Sequence, residues 1–207
     1  MDEAQYVGTR DSLHAVAELL IAGPQYRQFG TIRLGVVPGG FGGVKLPVSV
    51  VGDELVWADG RALLSGSYRE IAERAGVAAE APTGLYRDTT GADPADPVRV
   101  DAEAAAVIAE WLATGDAALR NLLPELTPVL WPEHFDLSVT ADEVNYGVSP
   151  GDAGHPGPYA YVGPWHPRTG DFWNASFGAL RPLAEVRDVP SLLAFFEEGR
   201  ARATETN

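Results

Sequence analysis

The chain has 207 residues, 45% of them hydrophobic, which is enough to bury one sizeable core. Fifteen basic residues stand against 29 acidic ones, and the net charge of −14 repels nucleic-acid phosphates and anionic lipid head groups alike. The absence of cysteine excludes disulfides, thiolate nucleophiles and cysteine-bound zinc.

The first residues argue against export and membrane anchoring. The opening MDEAQYVGTR carries acids where a signal peptide has a basic region. No apolar run reaches the roughly 20 residues that a membrane-spanning helix needs. We therefore expect a soluble, cytoplasmic protein with neither a nucleic-acid nor a membrane partner.

The first predicted helix has its N-cap at Asp11 or Ser12 and ends at the dipeptide Gly23-Pro24. Its apolar residues recur at the spacing of one buried helix face. His14 lies beside that face, one turn before Glu18, with which it can pair. We interpret His14 as a partly buried structural histidine.

Two segments with alternating polarity follow, at 31–36 and 46–50. The sequence PGGFGG between them resembles phosphate-binding loops, but it lacks their Gly-Lys-Ser/Thr spacing. We interpret it as the glycine-rich turn of a hairpin that places Leu34 opposite Val48. A third strand is predicted over 54–57.

The remaining helices alternate with irregular sequence. A helix is predicted over 68–75, and residues 78–100, rich in Ala, Pro, Asp and Gly, predict a loop. Asp101 is the expected N-cap of the next helix, which Gly115 ends or kinks. The last helix is predicted to start near Pro190.

The order of helix, hairpin, strand and helix occurs twice along the chain. The fold class that this order predicts is α+β, an antiparallel sheet of hairpins with helices packed on one face. We expect one domain over residues 1–207, with related halves at 1–77 and 101–203 as an open alternative.

A second hairpin, beginning near His134, carries the clearest strand pattern of the chain. With its turn at Ala141-Asp142, Thr140 lies opposite Glu143 and Ser138 opposite Asn145. One face is apolar, and the other presents His134, Asp136, Ser138, Thr140, Glu143 and Asn145. This polar face either meets water or lines a pocket.

Aromatic residues in loop-like sequence follow this hairpin, and the stretch 131–173 holds three of the five tryptophans and three of the four histidines. Such residues suit a small-molecule pocket, although packing beneath a long loop explains them as well. The candidate ligand-binding residues are Trp131, Glu143, Asn145, Tyr159, Tyr161, Trp165 and Trp173.

Two chemistries fit this stretch. His134 is a candidate general base oriented by Asp136 or Glu133. Alternatively, His134 and Asp136 bind a divalent metal together with His155 or His166, as in a metal-dependent oxidoreductase or hydrolase. Serine hydrolysis is disfavoured because no Gly-x-Ser-x-Gly elbow is present.

The segments LWPEHFD, DEVNYGVSPGD and PYAYVGPW resemble a bacterial, mostly actinobacterial, protein family of unknown function. The resemblance extends to LHAVAELLIAGPQYR and TIRLGVVPGGF. It implies a complete, free-standing protein and supplies no catalytic residues.

The leading functional prediction is a small-molecule pocket, binding or catalytic, formed by residues 131–173. The metal-dependent enzyme is the first alternative. The second is a non-enzymatic protein-interaction module, and a homo-oligomer remains open.

Overall fold

The computed structural model describes residues 2–82, 84–86 and 89–204. Its helical elements are α1 (Glu3–Val16), a π-helical segment (Ala17–Ala22), α2 (Gly23–Phe29), α3 (Tyr68–Ala75), α4 (Ala102–Leu122) and α5 (Val189–Thr204). The strands are β1 (Leu34–Val37), β2 (Gly40–Gly43), β3 (Val48–Val51), β4 (Glu54–Trp57), β5 (Gly60–Leu63), β6 (Ser65–Ser67), β7 (Pro97–Arg99), β8 (Val129–Trp131), β9 (Asp136–Ala141), β10 (Val144–Ser149), β11 (Tyr159–Pro164) and β12 (Ala179–Pro182). The predicted α+β class is confirmed.

Ten of the strands form one antiparallel sheet in the order β12-β11-β10-β9-β8-β1-β2-β3-β4-β5. The sheet consists of two five-stranded meanders, β1–β5 and β8–β12, which join where Leu34 of β1 pairs with Leu130 of β8. Strands β6 and β7 form a separate pair. Within the described ranges, no helix is both long and apolar enough to cross a membrane.

The predicted bounds of the first helix are wrong at both ends. Helix α1 starts after the N-cap Asp2, whose side chain accepts a hydrogen bond from the Gln5 backbone N–H. The helical path continues through Gly23-Pro24 and ends at Gly30, which adopts φ 71°. The left-handed conformation at Gly30 is the usual end of a helix.

A loop contact explains why Gly23-Pro24 does not end the helix. In the π-helical segment the N–H of Gly23 bonds to Glu18 O, so the next bond in the series would need an N–H from Pro24. Glu80 supplies the missing donor, since its N–H bonds to Leu19 O at 3.1 Å. A Cβ on Gly23 would lie 1.7 Å from the Glu80 carbonyl oxygen, so glycine makes this crossing possible.

The interpretation of PGGFGG as a turn is also wrong. Only Pro38-Gly39 forms the turn, and the next four residues are strand β2, which pairs with β1 and β3. Leu34 therefore lies opposite Gly43, and Val48 belongs to the strand beyond. Phe41 is the one large side chain of β2 and is 1% exposed. Its burial outweighs the weak strand preference of the surrounding glycines.

Several other predicted elements are confirmed. The bounds of β4 and α3 agree with prediction, α5 starts beside Pro190, and the Asp101 carboxylate accepts from the Ala104 backbone N–H at 3.0 Å. The predicted loop at 78–100 contains the short strand β7, and β5 and β6 were not predicted. Helix α4 continues past Gly115, where a Cβ would lie 2.3 Å from a methyl group of Val148. This glycine brings α4 close to the sheet.

The second hairpin has the predicted faces but a different register. Its turn is Asp142-Glu143, both with positive φ, and Thr140 lies opposite Asn145. The pairing is thus shifted by two residues, which leaves each side chain on its predicted face. The apolar face, including Val148, packs against α4. The polar face lies on the other side of the sheet.

The strand also starts later than predicted. Residues 132–135 form a turn between β8 and β9, so His134 lies outside the strand. Phe135 adopts φ 52°, which is uncommon for a bulky residue. Its ring is 1% exposed and contacts Phe41 edge-on at 5.2 Å between centroids. Burial of this ring stabilises the unusual backbone conformation, and it leaves the neighbouring His134 side chain exposed.

Candidate functional site

A cleft of about 850 Å³ lies where α1 meets the polar face of β9, β10 and β11. The turn 132–135 and the loop 150–158 contribute further walls. The volume lies within the range of small-molecule sites. Most of its lining falls within residues 131–173.

The floor of the cleft follows from the strand register. Asn145 pairs with Gly163 and Ser149 with Tyr159, so their side chains lie on one face of the sheet. Between these pairs, Gly147 lies opposite Tyr161. A Cβ on Gly147 would lie 2.6 Å from the Tyr161 ring, so the ring lies directly over the glycine.

This close approach brings Tyr161 to Asp136. The Tyr161 hydroxyl donates a short hydrogen bond to Asp136 Oδ2. Burial strongly raises the pKa of Tyr161, and the Asp136 charge raises it further. Tyr161 is therefore a neutral hydrogen-bond donor at physiological pH. Asp136 is held at the start of β9 by a residue from β11.

Two carboxylate oxygens in the cleft are buried without a hydrogen-bond partner among the described residues: Asp136 Oδ1 and Glu133 Oε2. Burial raises the pKa of Asp136 and the Glu133 charge adds to the rise, while the hydrogen bond from Tyr161 and the nearby His134 oppose it. An unpaired buried acceptor typically costs about 1–3 kcal/mol. Two such oxygens in the lining of one cleft are acceptors to which further hydrogen-bond donors could bind.

Helix α1 supplies a histidine to the lining of the same cleft. His14 stacks on Phe135 at 5.4 Å between centroids, and its Nε2 lies 2.7 Å from Pro132 O. A carbonyl can only accept, so Nε2 carries the proton and donates. Burial lowers the pKa of His14, which keeps the ring neutral with a lone pair on Nδ1. His14 is partly buried, as predicted, but the Glu18 carboxylate accepts from Tyr86 and Thr90 instead.

Two further residues of α1 fix the loop 150–158. The Tyr6 hydroxyl donates to Pro150 O at 2.7 Å. Arg10 donates to Asp152 O at 3.2 Å and to Pro156 O at 2.9 Å. Its Nε and Nη2 atoms each donate to Asp11 Oδ1, at 3.0 and 2.7 Å. All three side-chain nitrogens of the Arg10 guanidinium group are thus engaged within the protein.

The loop contains a carboxylate of opposite character to Asp136. Burial by itself would raise the pKa of Asp152, but hydrogen bonds from Tyr159, His155 and Gly154 together lower it. Oδ1 accepts from two backbone N–H groups, and Oδ2 accepts from the Tyr159 hydroxyl at 2.6 Å. The loop and the first residue of β11 together satisfy this carboxylate.

Aromatic rings also line the cleft. Phe177 lies 6.4 Å from Tyr159 and 6.2 Å from Tyr161 between ring centroids. Phe177 is 40% exposed and Trp165 is 60% exposed. The Trp165 indole N–H lies 3.4 Å from Asn145 Oδ1, which also accepts from Thr140. Exposed rings of this size at a cleft mouth offer an apolar surface for a ligand.

The structure brings together part of the predicted site. Seven of the predicted residues line the cleft: Glu133, His134, Asp136, Asn145, Tyr159, Tyr161 and Trp165. Five do not: Trp131, Glu143, His155, His166 and Trp173. Trp131 lies under the guanidinium group of Arg33, Trp173 packs edge-on against Phe172, and the Glu143 carboxylate lies 3.4 Å from His166 Nε2. His155 contacts Tyr159 outside the cleft.

The predicted metal ligands do not meet. His166 pairs with Glu143, and His155 lies near Asp152. In the part of the chain that the structure describes, no group of three or more His, Cys, Asp or Glu side chains is placed to hold a metal ion.

Sequence reasoning missed the lining residues outside the hairpin, chiefly Arg10, Asp11 and His14 of α1, with Asp152 and Phe177. The helical pattern placed His14 near a buried face, but nothing local indicated what that face would meet. The Asp152-x-x-His155 spacing, in which a carboxylate caps the following backbone, was a usable signal for the loop.

Comparison of the chain with known protein families, with curated proteins and with solved structures gave no match. The resemblance of LWPEHFD, DEVNYGVSPGD and PYAYVGPW to an actinobacterial family therefore stays a prediction.

Proposed function

We propose that the protein binds a small polar molecule in the cleft between α1 and strands β9–β11. The observation that carries the proposal is the pair of buried, unpartnered oxygens on Asp136 and Glu133. A ligand that donates hydrogen bonds to them would remove an energetic cost that the free protein bears. The fixed loop 150–158 supports the proposal, because a preformed site binds without a large ordering cost.

Binding alone does not require a reaction. If the protein is an enzyme, Asp136 and His134 are the groups on which proton transfer would depend, because both line the cleft and Asp136 carries a perturbed pKa. We further propose a cytoplasmic protein without a nucleic-acid partner, in keeping with its net charge of −14.

Native mass spectrometry tests this proposal. The gently purified protein, then the protein incubated with a deproteinised cell extract, is measured before and after denaturation. We expect a reproducible mass excess that denaturation removes. The spectrum also reports the number of subunits and any bound metal.

Variants locate the ligand. Asp136→Asn and Trp165→Ala are expected to lose the mass excess while keeping the circular dichroism of the wild type. Leu63→Ala is the matched control, since Leu63 is 55% exposed on the edge strand β5, outside the cleft lining. A mass excess retained by both cleft variants, or none in the wild type under either condition, would contradict the proposal.

A further inference from the structure

The charge of the cleft favours one class of ligand. Its lining contains one arginine and four carboxylates: Arg10, Asp11, Glu133, Asp136 and Asp152. Arg10 is already engaged with Asp11 and with two loop carbonyls. Among the described residues that line the cleft, there is no second arginine or lysine to balance the charge of an anionic ligand. A phosphate or carboxylate would enter against three further carboxylates.

The carboxylates differ in how far their oxygens are satisfied by hydrogen bonds from the protein. Asp152 accepts two hydrogen bonds from its own loop and a third from Tyr159 of β11, whereas Asp136 and Glu133 each keep a buried oxygen without a donor. Desolvated carboxylates are best compensated by a positive charge that also donates hydrogen bonds. A neutral hydroxyl would fill the lone pairs but leave the charges unbalanced.

The aromatic side of the cleft suits the body of the same ligand. Tyr159 and Phe177 lie in a stacked arrangement with 27° between ring planes, and Tyr161 meets Phe177 edge-on. Trp165 adds an indole at the mouth. Aromatic faces attract cations and also cover apolar groups. The cleft lining thus combines two buried, unpartnered carboxylate oxygens with aromatic rings, of which Phe177 and Trp165 are exposed.

We infer that the cleft takes a small organic cation, an ammonium or guanidinium group with N–H donors on an apolar body. The inference rests on the proposed function and specifies its ligand class. N–H donors are required because the unpartnered oxygens are hydrogen-bond acceptors, so a quaternary ammonium group, which has no N–H, fits less well. The cationic head meets Asp136 and Glu133, and the body packs against Tyr159, Phe177 and Trp165.

Three probes that share a phenyl ring but differ in their polar group test the inference: 2-phenylethylamine, 2-phenylethanol and phenylacetate. Each is titrated into the full chain at neutral pH, with calorimetry for the affinity. The indole N–H signal of Trp165, assigned through Trp165→Phe, reports binding in the cleft. We expect the amine to bind at least about tenfold more tightly than the alcohol, and phenylacetate to bind most weakly.

The variant Asp136→Asn keeps a hydrogen-bond acceptor for Tyr161 but removes the charge. We expect it to reduce the preference for the amine over the alcohol to less than about threefold. Leu63→Ala is expected to keep the wild-type preference. A preference unchanged in Asp136→Asn would overturn the role of this carboxylate.

The remaining outcomes separate the two proposals. If the alcohol or phenylacetate shifts the Trp165 signal at least as strongly as the amine, the cleft binds small molecules but the cation inference is wrong. If none of the three shifts it at about 20 mM, the inference is overturned. The proposed function is tested separately, by the native mass spectra of the wild type and of the two cleft variants.

Discussion

The Tyr161 hydroxyl reaches Asp136 by crossing Gly147, which lies on the strand between them. The missing side chain of one residue therefore determines the geometry of two others. Tyr161 is held in place before any ligand arrives, and it leaves Asp136 with only one oxygen free. Preorganisation of this kind keeps the cost of binding low.

Gly147→Ala is expected to displace Tyr161 and to break its bond to Asp136, because the new Cβ would lie 2.6 Å from the ring. We expect a loss of about 1–3 kcal/mol in the free energy of unfolding, measured with urea, as for other overpacking substitutions. In Gly157→Ala, whose Cβ would meet nothing within 4 Å, stability should stay near that of the wild type. Adding Tyr161→Ala to Gly147→Ala should cost less than the sum of the single losses. Strict additivity would contradict the steric explanation.

Asp136→Asn is expected to stabilise the protein while weakening ligand binding. Burial raises the pKa of Asp136, so the folded state holds its proton more tightly than the unfolded chain. The stability that this provides is present at low pH and is lost as pH rises through the raised pKa. We expect the variant to be about 1 kcal/mol more stable than the wild type near pH 8, with a smaller difference near pH 4. Urea unfolding at both values measures this.

Asp152→Asn is expected to change stability in the opposite direction to Asp136→Asn. Hydrogen bonds lower the pKa of Asp152, so its contribution to stability is present above the ordinary aspartate range and is lost as pH falls through the lowered pKa. The variant should be less stable than the wild type at neutral pH and should approach it in acid. The same pH trend in both variants would show that the two carboxylates are not distinguished as described.

His14→Gln is expected to change how stability depends on mildly acidic pH. Burial lowers the pKa of His14, so the unfolded chain takes up a proton more readily, and stability is lost as pH falls below about 6.5. Glutamine can still donate to Pro132 O but does not titrate. The wild type should therefore lose more stability than the variant between pH 7.5 and pH 5.5, by up to about 1 kcal/mol. Parallel curves would argue against a buried neutral imidazole.

The continuous helical path from α1 to α2 contains a matched pair of glycines, Gly8 and Gly23. Gly23→Ala places a Cβ 1.7 Å from the Glu80 carbonyl oxygen and should cost about 3 kcal/mol or more, measured by thermal and urea unfolding. At Gly8, also helical, a Cβ would meet nothing within 4 Å. Gly8→Ala should raise stability by about 0.5–1 kcal/mol through helix propensity. Similar effects at both sites would show that the loop does not cross at Gly23.

Much of the fold could be predicted where side chains follow a local pattern. The bounds of α3, the Asp101 cap and the polar face of the second hairpin all depend on residues within a few positions of one another. The strand β2 could not be predicted, because GFGG offers one side chain and three glycines. Its pairing depends on neighbours on both sides that no local pattern shows.

The prediction that the first helix ends at Gly23-Pro24 was wrong for a related reason. Pro24 removes a backbone donor, and the replacement comes from Glu80, more than fifty residues later. In the cleft, the hairpin side could be predicted from alternation, whereas Arg10, Asp11 and His14 join the lining because α1 contacts the turn 132–135 and the loop 150–158. Long-range contacts of this kind have no signature in a single sequence.

The loop 150–158 is attached to α1 through its main chain. Tyr6 and Arg10 bond to the carbonyl oxygens of Pro150, Asp152 and Pro156, which every amino acid possesses. The anchoring therefore places little demand on the side chain at Ala153, which lines the cleft. Mutations there can reshape the wall of the cleft without loosening it, so under the proposed function the ligand preference can be engineered in this loop while the scaffold is kept.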